Sequence, residues 1–145
     1  MHLSISTITL GVEDVARAKA FYADGLGWPI KQDHGQFVSF APRSGSSAVA
    51  LYPRAILAAD AGVAAHGSGN RGFTFSYVVP SNDRVDAVLA EAERAGGTIV
   101  KPGQRGQWGG YFGYFSDPDG YLWKVVCGRY EVDGVIHETD DAFSE

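Results

Sequence analysis

A short polar segment, Asp117 to Gly120, separates two runs rich in aromatic and β-branched residues, and it constrains the fold more than any other feature of the chain. The two runs, residues 107–116 and 121–128, have the composition of β-strands. In Asp-Pro-Asp-Gly the first Asp can bond its own backbone, Pro fixes φ at the second position, and Gly120 accepts the positive φ that ends the turn. The segment therefore predicts a β-hairpin with a tight polar tip. Because turn chemistry accounts for Asp117 and Asp119, neither carboxylate needs a catalytic or metal-binding role.

The order strand, helix and three strands occurs twice along the chain. The first copy is predicted as a strand at 3–10, a helix at 13–24 and strands at 28–33, 36–42 and 46–53. A short Ala-rich helix at 54–61 and a Gly-rich linker at 62–72 follow. The second copy is predicted as a strand at 73–79, a helix at 82–95 and strands at 98–102, 107–116 and 121–128.

Matching residues recur between the two copies at offsets of 67 and 70. The pairs are Val12 with Val79, Val15 with Val85, and Gly27 with Gly97. With a three-residue insertion between the two offsets, this weak self-similarity indicates a duplicated unit, although two adjacent α+β hairpins could produce it by chance. We predict an α+β fold of two tandem βαβββ modules, near 1–65 and 70–128, that together form a single domain, 1–128.

Composition indicates an ordinary globular chain of 145 residues, 45% of them apolar. No run approaches the roughly 18 consecutive apolar residues of a membrane span, and the first residues lack the pattern of a signal peptide. Cys127 is the single cysteine, which excludes an internal disulfide. We expect a cytoplasmic protein.

The net charge of −5 is concentrated at the C-terminal end. Residues 129–145 hold six of the 17 acids and one of the 12 bases, so the rest of the chain is neutral. We predict that this acidic tail is solvated and partly disordered. Because no basic patch is present, we expect neither a nucleic-acid nor a membrane partner.

The predicted hairpin resembles the last hairpin of the vicinal oxygen chelate superfamily, which includes glyoxalases, bleomycin-resistance proteins and extradiol dioxygenases. The run Trp-Gly-Gly-Tyr-Phe-Gly-Tyr-Phe at 108–115 and the following Asp-Pro-Asp-Gly and Leu-Trp are similar to one branch of that superfamily. The resemblance covers about residues 4–127. It implies paired βαβββ modules whose sheets form a cleft, and often a homodimer.

The resemblance also implies a divalent metal in the cleft, held by His, Gln or Glu from the first and last strands of each module. The corresponding positions here are Thr7, Ala50, Thr74 and Lys124. Alanine has no donor atom, threonine is a poor ligand, and a protonated lysine repels a cation. We therefore expect no metal and no cofactor, and neither glyoxalase I nor extradiol dioxygenase activity. The four histidines are expected to be exposed polar residues: His2, His34, His66 and His137.

Strand alternation, placed on the cleft that the resemblance implies, predicts a pocket for a flat, partly polar ligand, with Lys124 pairing an anionic group. The predicted ligand-binding residues are Thr7, Thr9, Ala50, Tyr52, Thr74, Ser76, Trp108, Tyr111, Tyr114 and Lys124. Alternatively, Lys124 forms an ion pair with Asp117 or Asp119, extends to solvent, or acts in catalysis. Cys127 is expected on the opposite face of its strand, buried and unreactive.

Three functions are compatible with these residues. The first is a metal-free protein of the bleomycin-resistance type that binds a small, partly aromatic or anionic organic molecule. The second is a lyase, isomerase or epimerase that acts on a small carbonyl compound, with acid–base chemistry from Lys124 and Tyr52 or Tyr114. The third is a structural or regulatory module with an empty cleft. The sequence does not name the ligand or decide whether the protein is an enzyme.

Overall fold

The computed structural model of the chain describes residues 1–3, 5–65, 71, 73–106 and 109–127, together with the backbone of 130–132 and 135–137. The chain divides into two compact units, Met1–Ser68 and Gly69–Glu145. No helix in the described part is long and apolar enough to cross a membrane.

The first unit contains one four-stranded sheet and two helices. Its elements are β1 (Thr7–Val12), α1 (Val15–Lys19), a π-helical turn (Ala20–Gly25), β2 (Ile30–Asp33), β3 (Val38–Phe40), β4 (Ala48–Pro53) and α2 (Arg54–Ala61). The strand order is β1-β4-β3-β2, with β1 parallel to β4 and the other neighbours antiparallel.

The core of the first unit lies on one face of this sheet. Leu10, Leu51 and Val38 occupy one row across three strands and are almost completely buried. Helix α1 begins at Asp14, whose side chain accepts a hydrogen bond from the Arg17 N–H at 3.0 Å. The π-helical turn then places Tyr22 against other aromatic rings of this core.

The second unit repeats this arrangement. Its elements are β5 (Phe75–Val78), α3 (Asn82–Arg94), β6 (Thr98–Arg105), β7 (Tyr111–Ser116) and β8 (Leu122–Cys127). Two short strands follow and pair with each other: β9 (Tyr130–Val132) and β10 (Val135–His137). The sheet order is β5-β8-β7-β6, and only the β5–β8 pair is parallel.

Helix α3 covers one face of the second sheet. Ser81 caps it by accepting a hydrogen bond from the Arg84 N–H at 3.1 Å. Its buried residues are Val85, Val88, Leu89 and Ala92. The helix approaches the sheet closely at Gly113, where an added Cβ would lie 2.5 Å from Leu89 Cδ1.

The predicted α+β class and the two βαβββ units are confirmed, and helix α2 has the predicted bounds. The first strand was placed wrongly at 3–10. It runs from Thr7 to Val12 because its partner β4 begins only at Ala48, which pairs with Thr7.

The continuous helix predicted at 13–24 is wrong in detail. After Lys19 the backbone widens into a π-helical turn, and the Leu26 N–H bonds the carbonyl of Phe21, five residues earlier. Both Phe21 and Tyr22, which lie in this turn, are buried.

One strand prediction in the second unit also needs correction. Strand β6 runs to Arg105 rather than ending at 102, through register shifts near Lys101. Within the predicted acidic tail, the backbone of β9 pairs with that of β10 in an antiparallel ladder.

Candidate functional site

Four polar residues form one row across the second unit's sheet. Ser76 on β5 pairs with Lys124 on β8, Lys124 pairs with Tyr114 on β7, and Tyr114 pairs with Lys101 on β6. Ser76, Tyr114 and Lys124 are three of the predicted ligand-binding residues, and the structure brings these three together.

This row lies on the face of the sheet that α3 does not cover. Gly113 and Val125 pair with each other, and Gly113 faces Leu89 of α3. Because side chains alternate along a strand, Tyr114 and Lys124 point to the other face. We refer to this face of the second sheet as the lysine face.

Aromatic rings accompany the cations on the lysine face. Phe112 lies two residues from Tyr114, and the two rings meet edge to face with centroids 6.0 Å apart. The Lys124 Nζ lies 5.1 Å from the centroid of Phe112, within the range of a cation–π contact. Such rings provide a flat surface beside a positive charge.

Lys124 is partly buried, and this burial lowers the pKa of its ammonium group from the usual 10.5. Removing water from a cation disfavours its charged form unless a negative group restores the lost interaction. The lysine face is therefore an electrostatically favourable place for an anion.

The strand residues of the lysine face include no acid. By register and alternation they are Ser76, Val78, Thr98, Lys101, Gln104, Phe112, Tyr114, Ser116, Leu122, Lys124 and Val126. Two are cations, and within strands β5 to β8 no carboxylate points to this face.

The predicted site residue Tyr111 belongs to the opposite face, which corrects its assignment beside Tyr114. Tyr111 lies two residues before Gly113, so it shares the face covered by α3. Its hydroxyl donates a hydrogen bond to Asp86 on α3 at 2.8 Å, and this bond raises the pKa of Tyr111. This hydrogen bond links α3 to strand β7.

Cys127 is buried on that same helix-facing side, as predicted. Its thiol donates a hydrogen bond to the side-chain oxygen of Asn82 at 2.9 Å, at the start of α3. Burial raises the pKa of the Cys127 thiol, so the reactive thiolate is disfavoured.

The first unit holds four of the predicted ligand-binding residues. Thr7 and Thr9 on β1 are exposed, and Tyr52 on β4 is half-buried with its ring 6.0 Å from that of Phe37. Ala50 is 0% exposed, so its selection as a lining residue is corrected: it has no surface available to a ligand.

Of the remaining predicted ligand-binding residues, the structure describes Thr74 but not Trp108. Thr74 is exposed and lies just before β5, two residues from Ser76. Trp108 lies outside the described residues, as does His66. Nothing in the structure therefore tests these two predictions.

The predicted hairpin tip is present between β7 and β8. The Asp117 carboxylate accepts hydrogen bonds from the N–H groups of Asp119 and Tyr121, both at 2.9 Å, and Gly120 has φ of +86°. Asp117 is 3% exposed. Its two backbone contacts give it a structural role in the turn, as turn chemistry predicted.

The residues present do not fit the divalent metal that the resemblance implies. In the described part of the chain no three His, Cys, Asp or Glu side chains come together as a possible metal-binding group. Of the four corresponding positions, Ala50 has only a buried methyl group and Lys124 carries an ammonium group beside Phe112. Neither offers a lone pair to a metal at neutral pH.

Sequence reasoning missed Lys101 as a member of the site. Its Nζ lies 5.5 Å from the centroid of Phe112, on the edge strand β6. Simple alternation does not place it, because the register of β6 shifts on both sides of Lys101. A lysine on an edge strand also has an ordinary explanation, since edge charges prevent unwanted strand pairing.

Comparison with known proteins gives a consistent result. The model of the Glyoxalase/Bleomycin resistance protein/Dioxygenase superfamily matches residues 4–125. No curated protein sequence matches the chain significantly.

Solved structures with a similar fold include three that span most of this chain. A glyoxalase-related enzyme from Fulvimarina pelagi has a TM-score of 0.80 at 24% identity, covering 96% of this chain and 100% of that chain. A glyoxalase/bleomycin resistance protein/dioxygenase from Nocardioides has a TM-score of 0.69 at 21% identity, covering 87% and 83%. A lactoylglutathione lyase from Agrobacterium tumefaciens has a TM-score of 0.64 at 26% identity, covering 87% and 94%.

Proposed function

We propose, from the premise that this chain belongs to the Glyoxalase/Bleomycin resistance protein/Dioxygenase superfamily, that it binds a small, partly aromatic organic anion without a metal ion. The observation that carries this proposal is the position of Lys124, a partly buried cation in one row with Ser76 and Tyr114 and beside the ring of Phe112.

The chemistry of the row supports an anionic, flat ligand. A carboxylate on Lys124 would form a charge-assisted hydrogen bond, which is worth about 1.5–3 kcal/mol, or roughly 10–100-fold in affinity. The rings of Phe112 and Tyr114 offer apolar surface, and the hydroxyls of Ser76 and Tyr114 offer polar contacts.

A second candidate is an enzyme acting on a small carbonyl compound: a lyase, isomerase or epimerase. One observation favours it: burial lowers the pKa of Lys124, which is the direction that a lysine acting as a general base requires. The name of the Agrobacterium tumefaciens relative, lactoylglutathione lyase, is in keeping with this candidate.

The first experiment combines elemental analysis with native mass spectrometry on protein purified without a tag. We expect no stoichiometric transition metal and, where the natural ligand survives purification, an additional organic mass. About one zinc, nickel or iron per chain, retained after dialysis against a chelator, would contradict the metal-free proposal.

A charge-specific binding test uses benzoate and its neutral analogue benzamide. Lys124→Met should weaken benzoate binding by about 10-fold and leave benzamide binding unchanged, as measured by NMR titration. Lys31→Met, at an exposed position in the first unit, is the control and should change neither. Equal losses for both ligands would show that Lys124 contributes contact area rather than charge recognition.

Lys124→Glu tests whether the other ligands of a metal site are present, because it places the family's carboxylate at this position. We expect no tight binding of zinc or nickel in isothermal titration calorimetry, since one carboxylate does not make a site. Tight, stoichiometric binding would mean that other ligands are present and that the positions assigned to them are wrong.

Turnover separates the two candidate functions. A binding protein should leave small hydroxycarbonyl compounds unchanged over hours in an NMR assay in deuterated water. Exchange of the proton next to the carbonyl that disappears in Lys124→Met and persists in Lys31→Met would establish the enzyme instead.

A further inference from the structure

Two lysines, rather than one, reach the same aromatic ring on the lysine face. Lys124 and Lys101 place their Nζ atoms 5.1 Å and 5.5 Å from the centroid of Phe112. Because both distances end at the same point, the two ammonium groups lie within about 11 Å of each other, close enough to contact one small ligand.

The two side chains come from different strands. Tyr114 pairs with Lys101 on one side and with Lys124 on the other, so the lysines are separated by the full width of β7. Two strand spacings put their backbones about 9.5 Å apart. The two ammonium groups therefore belong to separate strands, and both lie near Phe112 on the same face of the sheet.

Two nearby cations repel each other, and a ligand that places negative charge beside both of them reduces this repulsion. A ligand with one carboxylate can pair with only one of the two lysines. A ligand with two anionic groups on a rigid frame offsets both charges and loses little conformational freedom on binding.

We propose, building on the function proposed above, that the ligand class is a planar molecule with two carboxylates, one paired with Lys124 and the other with Lys101. The flat frame lies against Phe112 and Tyr114. Lys101 is then a specificity-determining residue that separates dianions from monoanions.

The test compares isophthalate, which carries two carboxylates on one ring, with benzoate, which carries one. Affinities are measured by NMR titration for the unaltered protein and for Lys101→Met, Lys124→Met and Lys31→Met. The unaltered protein should bind isophthalate about 10-fold more tightly than benzoate, because a second charge-assisted hydrogen bond forms.

The variants distinguish this inference from the function on which it rests. Lys101→Met should abolish the preference for isophthalate and leave benzoate affinity within about twofold, whereas Lys124→Met should weaken both ligands. Lys31→Met should change neither. Amide NMR spectra of each variant verify that the sheet is intact.

Three results would overturn either the dianion inference or the proposed function. If Lys101→Met keeps the preference for isophthalate, the dianion inference is wrong and the function stands. If benzoate binding is insensitive to Lys124→Met, the proposed function itself fails. If phenyl phosphate binds more tightly than isophthalate and depends on both lysines, a single doubly charged group replaces the two carboxylates.

Discussion

Lys124 combines two properties that oppose each other: its position favours an anionic ligand, and its burial is unfavourable to its own charge. The pKa of Lys124 is lowered, so the folded protein binds this proton less tightly than the unfolded chain does. Protonated Lys124 therefore reduces stability at neutral pH, and the cost disappears as pH rises through its folded pKa towards 10.5.

We expect Lys124→Met to be more stable than the unaltered protein at pH 7, with a difference that shrinks as the pH approaches 10.5. Urea denaturation of both proteins between pH 7 and 10 measures this difference directly. The comparison cancels the titration of Tyr111 and other shared groups. A stability difference independent of pH would contradict a cost arising from charge.

Gly113 decides how closely α3 packs on the second sheet. An added Cβ would lie 2.5 Å from Leu89 Cδ1 and 2.9 Å from the carbonyl oxygen of Lys101. The second neighbour is backbone, so a rotamer change of Leu89 alone does not relieve the overlap.

Gly113→Ala should destabilise the protein by about 1–3 kcal/mol, as overpacking does in well-packed cores. The measurement is the free energy of unfolding in urea. Ser116→Ala on the same strand is the control and should stay within about 0.5 kcal/mol. An unchanged stability for Gly113→Ala would mean that α3 can move away from the sheet at no cost.

At the scale of elements, the tip of the β7–β8 hairpin fixes the position of Lys124. The Asp117 carboxylate accepts hydrogen bonds from two backbone N–H groups. Arg71 donates a hydrogen bond to the Asp119 carbonyl at 2.9 Å, and its guanidinium carbon lies 4.4 Å from the centre of the Tyr121 ring. These contacts hold the start of β8 in register with β7.

Asp117→Ala should cost about 2–4 kcal/mol, because two N–H groups in a buried turn lose their acceptor. Asp117→Asn should cost less, since its side-chain oxygen can still accept. Thermal unfolding with fluorescence detection gives both values. Equal losses in the two variants would show that the negative charge, rather than the acceptor, stabilises the turn.

Much of this element-level structure followed from local sequence. Turn chemistry located Asp117 and Gly120, helical periodicity predicted α3 to within one residue, and alternation placed Ser76, Tyr114 and Lys124 on one face. These features depend on residues close together in the chain or on a regular period, which a single sequence displays.

Two differences from prediction depend on distant contacts or irregular backbone, and a third does not. The start of β1 is set by β4, some 40 residues later, and Lys101 joins the site through shifts of strand register. Tyr111 lies three residues from Tyr114, so alternation along β7 places the two side chains on opposite faces and Tyr111 faces α3. The sequence alone was sufficient to predict this.

At the scale of the whole molecule, the charge distribution matters most for an anionic ligand. The net charge of −5 resides in residues 129–145, and the rest of the chain is neutral. A negative net charge slows the approach of an anion at low ionic strength. The homodimer implied by the resemblance stays a prediction, which sedimentation equilibrium would test.

Neutralising the tail acids should raise the association rate of isophthalate about two- to fivefold at low salt, with the effect lost near 0.5 M salt. The acids to be replaced by Asn or Gln are Glu131, Asp133, Glu138, Asp140, Asp141 and Glu145. NMR line-shape analysis gives the rates. A salt-independent change would mean that the tail acts through direct contact instead.

The parallel pairing of the first and last strands in each unit has a consequence for synthesis. Strand β1 leaves the ribosome first but pairs with β4, and β5 pairs with β8, the last strand of its sheet. Strand β1 cannot complete its ladder until about 40 further residues have been translated, and β5 cannot until about 50 have been. Each half of the nascent chain therefore exposes an unpaired strand for several seconds, at typical translation rates of about 5–20 residues per second.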